Sequence, residues 1–228
     1  MTASDLLVRS PRVVELAGPA GVGKSTVVQT LCRRNSAAAA TIWGQPVHRL
    51  LLDGLQVVPT LAGFWWQSGS LLWDESRHMV RLRTLERLLR ARPASAPMLM
   101  FDEGPVFALA WLRGFGHESL RQDRADAWWN TTLRVWAKTV DLVIVLDASD
   151  EELARRIKAR PTWHEVKHAP VPEIAEWMSR FRAALEWVLE GLSAHGRLEV
   201  VRISADGHGA DRVADDVSRA MDGMCHVH

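Results

Sequence analysis

The chain has no tyrosine and only two cysteines among its 228 residues. Cys32 and Cys225 lie far apart and make no disulfide framework, so a reducing cytoplasm is the expected compartment. No apolar run approaches the ~20 residues of a membrane span. The opening MTASDLLVRSPR lacks the apolar core of a signal peptide. An excess of one charge is missing too: 28 basic side chains meet 27 acidic ones, for a net charge of +1. That balance argues against a nucleic-acid partner. There is no internal repeat, and no low-complexity stretch beyond Ala37–Ala40. What is left, 47% hydrophobic and 24% charged, is ordinary for a soluble globular protein. The length suits one domain over 1–228 with its own core.

The most informative segment is Gly18-Pro19-Ala20-Gly21-Val22-Gly23-Lys24-Ser25-Thr26. It follows an apolar stretch, Arg12 to Ala17, that reads as a strand. It precedes Val27, Val28, Leu31 and Cys32, which share one helix face. A strand, a glycine loop and a helix are the context in which G-x-x-x-x-G-K-[ST] binds phosphates. Glycines let backbone N–H groups turn toward an anion, and the helix start adds its positive end. Here Gly18, Ala20, Gly21, Val22, Gly23, Lys24, Ser25 and Thr26 are the expected ATP contacts. Lys24 would reach the terminal phosphates, and the Ser25 hydroxyl would join the shell of a Mg²⁺ ion.

Apolar runs and helical spacings continue the pattern. Thr41-Ile42-Trp43 reads as a second strand, and Pro46 to Val58 as a helix. A further helix is expected from about Ser70 to Arg92, with Met79, Leu82, Leu85 and Leu89 on one face. Met98–Phe101 and Leu142–Leu146 are uninterrupted apolar runs, as expected of strands buried on both faces. Helical stretches are expected over about Pro105 to Arg113, Ser119 to Thr139 and Ser149 to Arg160, the last opened by a Ser149–Glu152 capping box. Ile174, Trp177, Met178, Phe181, Leu185, Val188, Leu189 and Leu192 predict a long helix. Leu198 to Ile203 is a last strand, and Val213, Val217 and Met221 mark a last helix. Strands alternating with helices imply an α/β fold, a parallel sheet covered on both faces, with ligands at the carboxyl ends of its strands.

Three groups outside the glycine loop carry chemistry. Asp102 follows four apolar residues, where a magnesium-side carboxylate belongs; its bland role is to start the next helix. Glu103 is either the base that activates the nucleophile or a helix-starting acid. The segment Arg155 to Arg160 holds four cations, with Arg156 and Arg160 four apart. A lid over about 155–170 would bring them to the transferring phosphate; the alternative is a solvated basic face. His164, Lys167 and His168 extend that segment. The tail Cys225-His226-Val227-His228 is discounted as a metal site. Eleven tryptophans are unusual, and eight fall between Trp43 and Trp136. Core packing accounts for most of them. Trp65-Trp66 sit in a loop-like stretch, Pro59 to Gly69, and are candidates for an aromatic acceptor wall.

Taken together the chain resembles the P-loop kinases of the thymidylate kinase and deoxynucleoside kinase group. The glycine loop carries this, with Leu146-Asp147-Ala148-Ser149, then Leu153, Arg156-Ile157 and Arg160, then a long helix. The resemblance implies a P-loop NTPase three-layer sandwich, a five-stranded parallel sheet in the order 2-3-1-4-5 with a helical lid and an acceptor-binding insert at about 44–97. Two positions depart from the group. Gln45-Pro46 stands where a carboxylate before proline is usual, and a glutamine takes no proton. Glu103 stands where an arginine usually follows the carboxylate, and its charge disfavours a phosphorylated acceptor. The expectation is a Mg-ATP-dependent kinase of a small hydroxylated molecule, nucleoside-like first, with an antibiotic or specialised metabolite next. Lys24, Asp102, Glu103, Arg156 and Arg160 would be its catalytic residues, Ser25 and Asp102 its metal ligands, and Asp102 or Glu103 the base. A homodimer is compatible with the sequence. The rival is an ATPase or switch, since an apolar run ending in Asp-Glu also suits a glutamate that polarises water.

Overall fold

The computed structural model describes residues 13–34, 38–40, 46–68, 73–91 and 98–224. In chain order these form β1 (Val13–Ala17), α1 (Lys24–Arg33), β2 (Ala38–Ala40), α2 (Val47–Ser68), α3 (Trp73–Arg90), β3 (Leu99–Phe101), α4 (Pro105–Phe115), α5 (Asp126–Ala137), β4 (Leu142–Asp147), α6 (Asp150–Ala159), α7 (Val171–His195), β5 (Glu199–Ser204) and α8 (Ala210–Met224). The strands lie in the order β2-β3-β1-β4-β5, and every pairing is parallel. Four of them, β3-β1-β4-β5, make the body of the sheet, and three-residue β2 extends it past β3.

Alternation along each strand sends neighbouring side chains to opposite faces. Val14, Leu16, Met100, Leu142, Ile144 and Leu146 pack on one face with residues of α1, α6 and α8. Val13, Ala17, Phe101, Val143 and Val145 pack on the other with residues of α2, α3, α4, α5 and α7. Burial on both faces is why β3 and β4 read as unbroken apolar runs, and why β1 is apolar but for Glu15.

Several boundaries differ from expectation. The second strand lies at Ala38–Ala40, while Thr41–Trp43 fall outside the described residues, as does Gln45. Three alanines carry no β-branched signal, so this strand exists through its pairing with β3. The stretch from Pro59 is not a loop: α2 runs through it to Ser68. Val57 and Phe64 are buried, and buried Asp53 accepts hydrogen bonds from Arg87 (3.0 Å) and Thr84 (2.9 Å) on α3. Pro59 sits on the exposed side, where water can serve the carbonyl it leaves free. The helix expected from Ser119 starts only at Asp126, after short 3-10 turns at Glu118–Arg121 and Asp123–Ala125. The Trp129 indole donates to the Leu120 carbonyl at 2.6 Å and so takes it from the α ladder. The expected capping box is absent as well. The Ser149 hydroxyl donates to Asp206 (2.9 Å), and Glu152 turns to Arg155 and Arg156. Finally, the segment expected to form a lid is helical only in its first part, since 160–170 is a run of bends and turns.

Candidate active site

The loop between β1 and α1 is built as its sequence demands. Gly18, Gly21 and Gly23 have φ of 140°, 84° and 102°, a region that favours glycine. A Cβ on Gly18 would lie 2.0 Å from the Leu146 carbonyl oxygen, so β4 sets how closely the loop must pass. Lys24 opens α1 and is buried. Its Nζ donates to the carbonyls of Gly18 (2.8 Å) and Pro19 (3.0 Å), and burial lowers its pKa. Ser25 and Thr26 are exposed beside it.

Across the sheet, β3 ends in Asp102-Glu103. Gly104 then caps α4, and Pro105 occupies its first turn. The corner is held from below by Glu15, a fully buried carboxylate in the middle of β1. Glu15 accepts N–H bonds from Val106 (2.8 Å) and Phe107 (2.7 Å). Burial pushes its carboxyl up to about 8, against the pull of these amides. A Cβ at position 104 would lie 2.6 Å from the Glu15 carboxylate, so glycine is needed there. One oxygen of Asp102 is buried with no hydrogen-bond partner, and Glu103 pairs with Arg81 of α3 at 3.1 Å. Arg81 lies 5.6 Å from the Phe107 ring centre, and its second terminal nitrogen is buried without a partner.

The cations of α6 and the loop after it are placed differently. Arg156 is braced: it bonds Glu152 (2.6 Å), the Val22 carbonyl (3.2 Å) and the Ala205 carbonyl (3.2 Å). It thus ties α6 to the glycine loop and to the turn after β5. Hydrogen bonds from Arg155 and Arg156 hold the Glu152 carboxyl down at about 2. Arg160 lies just past the end of α6 in an extended conformation, so it does not share a helix face with Arg156, though both line the cavity. His164 also reaches the cavity and meets Trp177 edge to face at 5.2 Å. Burial, then Arg160 and Lys24, lower its pKa and keep it neutral. At the base of α6, Arg182 of α7 bonds Asp147 (2.8 Å), Asp150 (2.6 Å) and the Ala148 carbonyl (2.9 Å).

One cavity of about 390 Å³ joins these groups. Ala20, Gly21 and the residues from Gly23 to Thr26, with Asp102, Glu103, Arg156 and Arg160, line one side. Phe107 and Trp111 of α4, Trp163 of the lid loop, and Trp177 and Phe181 of α7 line the other. His78 stacks behind Trp111 (4.2 Å, 18°), and burial lowers its pKa to about 3, so it is neutral. The Trp177 indole nitrogen is buried with no partner. The aromatic wall is therefore not Trp65-Trp66. Those two lie exposed on α2, and Trp66 leaves 84% of its surface open. Sequence reasoning placed Phe181 and Trp177 in a core face and missed Phe107, Trp111, Arg81, His78, Glu15 and Arg182. A usable signal was the pair of i,i+4 aromatic spacings, 107/111 directly after Asp-Glu and 177/181 directly after the lid.

The residues fit a magnesium–nucleotide complex. Asp102 and Ser25 both line the cavity, and one carboxylate oxygen of Asp102 is buried without a hydrogen-bond partner. Asp102→Asn, which keeps the shape and loses the charge, should cut magnesium-dependent turnover at least tenfold and leave magnesium-free nucleotide binding within about twofold. Equal losses in the two measurements would make Asp102 a structural residue.

No protein-family model matches the sequence, and no curated protein is similar enough to count as a match. Solved structures do match. Deoxyadenosine kinase from M. mycoides with bound dATP superposes with a TM-score of 0.57 at 13% identity, covering 92% of this chain and 99% of that one. The same enzyme with bound dCTP gives 0.56 at 15% identity, over 92% and 99%. At such identity the likeness concerns architecture: this chain shares the α/β fold of that deoxyadenosine kinase.

Proposed function

We propose that the protein is a Mg-ATP-dependent phosphotransferase whose acceptor is a small, flat, unphosphorylated molecule bearing a hydroxyl. A nucleoside-like ring suits it first, and an aromatic antibiotic or specialised metabolite next. The observation that carries this is the single cavity in which the glycine loop, Asp102 and Arg160 face an aromatic wall. Donor phosphates would draw Lys24 from the carbonyls of Gly18 and Pro19 and take its charge together with the loop amides. Magnesium, held by Ser25 and Asp102, would supply charge neutralisation between the phosphates. Arg160 would meet the charge of the transferring group. Phe107, Trp111, Trp177 and Phe181 would orient the acceptor ring and keep water out.

Glu103 is our choice of base. It is half exposed at the mouth of the cavity and held by Arg81, whereas Asp102 is left for the metal. Its charge beside the acceptor explains the preference for an unphosphorylated molecule. This reading places the protein in the cytoplasm, where Mg-ATP is abundant. Among the described residues no helix is long and apolar enough to cross a membrane.

The test is ATP turnover against a panel of hydroxylated nucleosides and aromatic alcohols. Turnover should be nearly idle without acceptor. With an acceptor found, Trp111→Ala or Trp177→Ala should raise its KM about tenfold and leave the KM for ATP within about twofold. Full turnover without any acceptor would identify an ATPase, and a nucleoside monophosphate as the best acceptor would overturn the role given to Glu103.

A further inference from the structure

The aromatic side of the cavity belongs to a closed circuit of ring contacts. Phe107, Trp111 and Phe115 repeat at i,i+4 spacing along α4, and Trp177 and Phe181 do so along α7. Trp111 meets Phe115 (6.2 Å) and Trp177 meets Phe181 (6.0 Å) along these helices. Between the helices, Phe115 stacks on Trp177 (4.6 Å) and Phe107 meets Phe181 (6.0 Å). His78 of α3 closes the circuit between Trp111 (4.2 Å) and Phe107 (6.0 Å). Phe107, Trp111 and Trp177 are only partly buried and, with Phe181, line the cavity. Trp163, 80% exposed, adds a further ring from the loop after α6. An aromatic ring is negative on its faces, so rings gathered around a space attract a cation, tryptophan most strongly. The circuit already holds two. The Arg81 guanidinium lies 5.6 Å from the Phe107 centre, and that of Arg180 lies 5.3 Å from the Phe115 centre. Among the described residues no cation lies over Trp111, Trp177 or Phe181.

The charges around the circuit favour the same kind of occupant. Glu103 and Glu165 both line the cavity, and Glu165 is in no ion pair among the described residues. The two histidines beside the rings add no positive charge, since burial keeps His78 and His164 neutral. Lys24, Arg156 and Arg160 line the cavity with the glycine loop, where donor phosphates would take up their charge. An uncharged heterocycle finds less here. Among the described residues no asparagine or glutamine lines the cavity, so the polar edge of a nucleobase would be buried largely unpaired. We propose that the acceptor is a hydroxylated amine or quaternary ammonium compound, its cation set against Trp111, Trp177 and Phe181 with Glu165 as counter-charge. This rests on the phosphotransferase reading above and places amine alcohols ahead of plain nucleosides as its acceptor class. The acceptor oxygen bonds the γ-phosphorus of ATP as the bond from that phosphorus to the β,γ-bridging oxygen breaks. The hydroxyl proton passes to Glu103, and ADP leaves with the bridging oxygen.

Choline and the neutral alcohol in which carbon replaces its nitrogen test the site, because they share a shape and differ in charge. Ligand-observed NMR titration of each against the full chain, without nucleotide, reads the two affinities. Choline should bind at least about tenfold tighter. Trp177→Leu keeps apolar bulk and loses the aromatic face. It should weaken choline about threefold or more and leave the neutral alcohol within about twofold, and Trp177→Phe should recover part of the loss. Glu165→Gln should weaken choline alone in the same way. Equal binding of the two alcohols, or binding of neither, overturns the proposal, as does a Trp177→Leu variant that loses both to the same extent. ATP turnover is then measured with a panel of amine alcohols and their uncharged analogues, and the amines should be the better acceptors. Turnover with neutral nucleosides alone would overturn the proposal and leave the kinase reading intact. Charge-selective binding with turnover that ignores every added alcohol would overturn the kinase reading while the cation site stands.

Discussion

Lys24→Ala should lower turnover by about a thousandfold or more while the thermal midpoint stays close to that of the unaltered protein. The two halves of this result have separate causes. Among the described residues the Lys24 ammonium has no carboxylate within ion-pair distance; it caps the carbonyls of Gly18 and Pro19 beside the cavity, where water can replace it. The fold therefore needs it little. The proposed reaction needs it because charge builds on phosphate oxygens in a site with few other cations. Arg156 is spent on bracing the glycine loop, which leaves Arg160 as the other cation lining the cavity. Lys24→Arg should not rescue activity, since a planar guanidinium is too broad for the turn between Gly18 and Gly23. Near-normal turnover in Lys24→Ala would sink the assignment of the loop to phosphate binding.

What the sequence made legible follows from local rules. The glycine loop is short, and its conformation depends on glycines within six residues, so the pattern alone announced it. Strands β1, β3 and β4 were legible because burial on both faces leaves no alternation to misread. The partners that arrive through tertiary packing were not legible. Arg81 reaches Glu103 across 22 residues of chain, and Arg182 reaches Asp147 from a helix 35 residues on. No local spacing encodes such a meeting. Trp65-Trp66 misled for the opposite reason. A proline and two glycines looked like a loop, yet packing of Val57, Phe64 and Asp53 against α3 outweighs what Pro59 costs on an exposed side. The aromatic side of the cavity came instead from α4 and α7, whose aromatics read as ordinary core positions.

Glu15 shows most clearly how an apolar run can hide a functional support, and Glu15→Gln should expose it. This carboxyl links β1, which feeds the glycine loop, to the amides of Val106 and Phe107, just past Asp102-Glu103. It thereby ties the glycine-loop side of the cavity to the Asp102-Glu103 side. A glutamine keeps one acceptor oxygen, but its NH₂ must face a backbone N–H, a mismatch that costs about 1–3 kcal/mol when buried. We expect kcat to fall at least tenfold with the KM for ATP little changed, because the corner shifts and the glycine loop does not. Stability should respond to pH in a defined direction. Burial raises the carboxyl from 4.5 to about 8 in the fold. Between those values the native state holds a proton that the unfolded chain has released, so stability falls as pH rises, by up to about 1.4 kcal/mol per unit. Below pH 4.5 the contribution is complete, and above about 8 it is gone. The glutamine variant has no such group. The difference in unfolding free energy between the two proteins, measured in urea at successive pH values, should therefore be largest near pH 5 and smallest near pH 8. Parallel curves would show that Glu15 titrates normally, and an unchanged kcat would show that the corner holds its place without it.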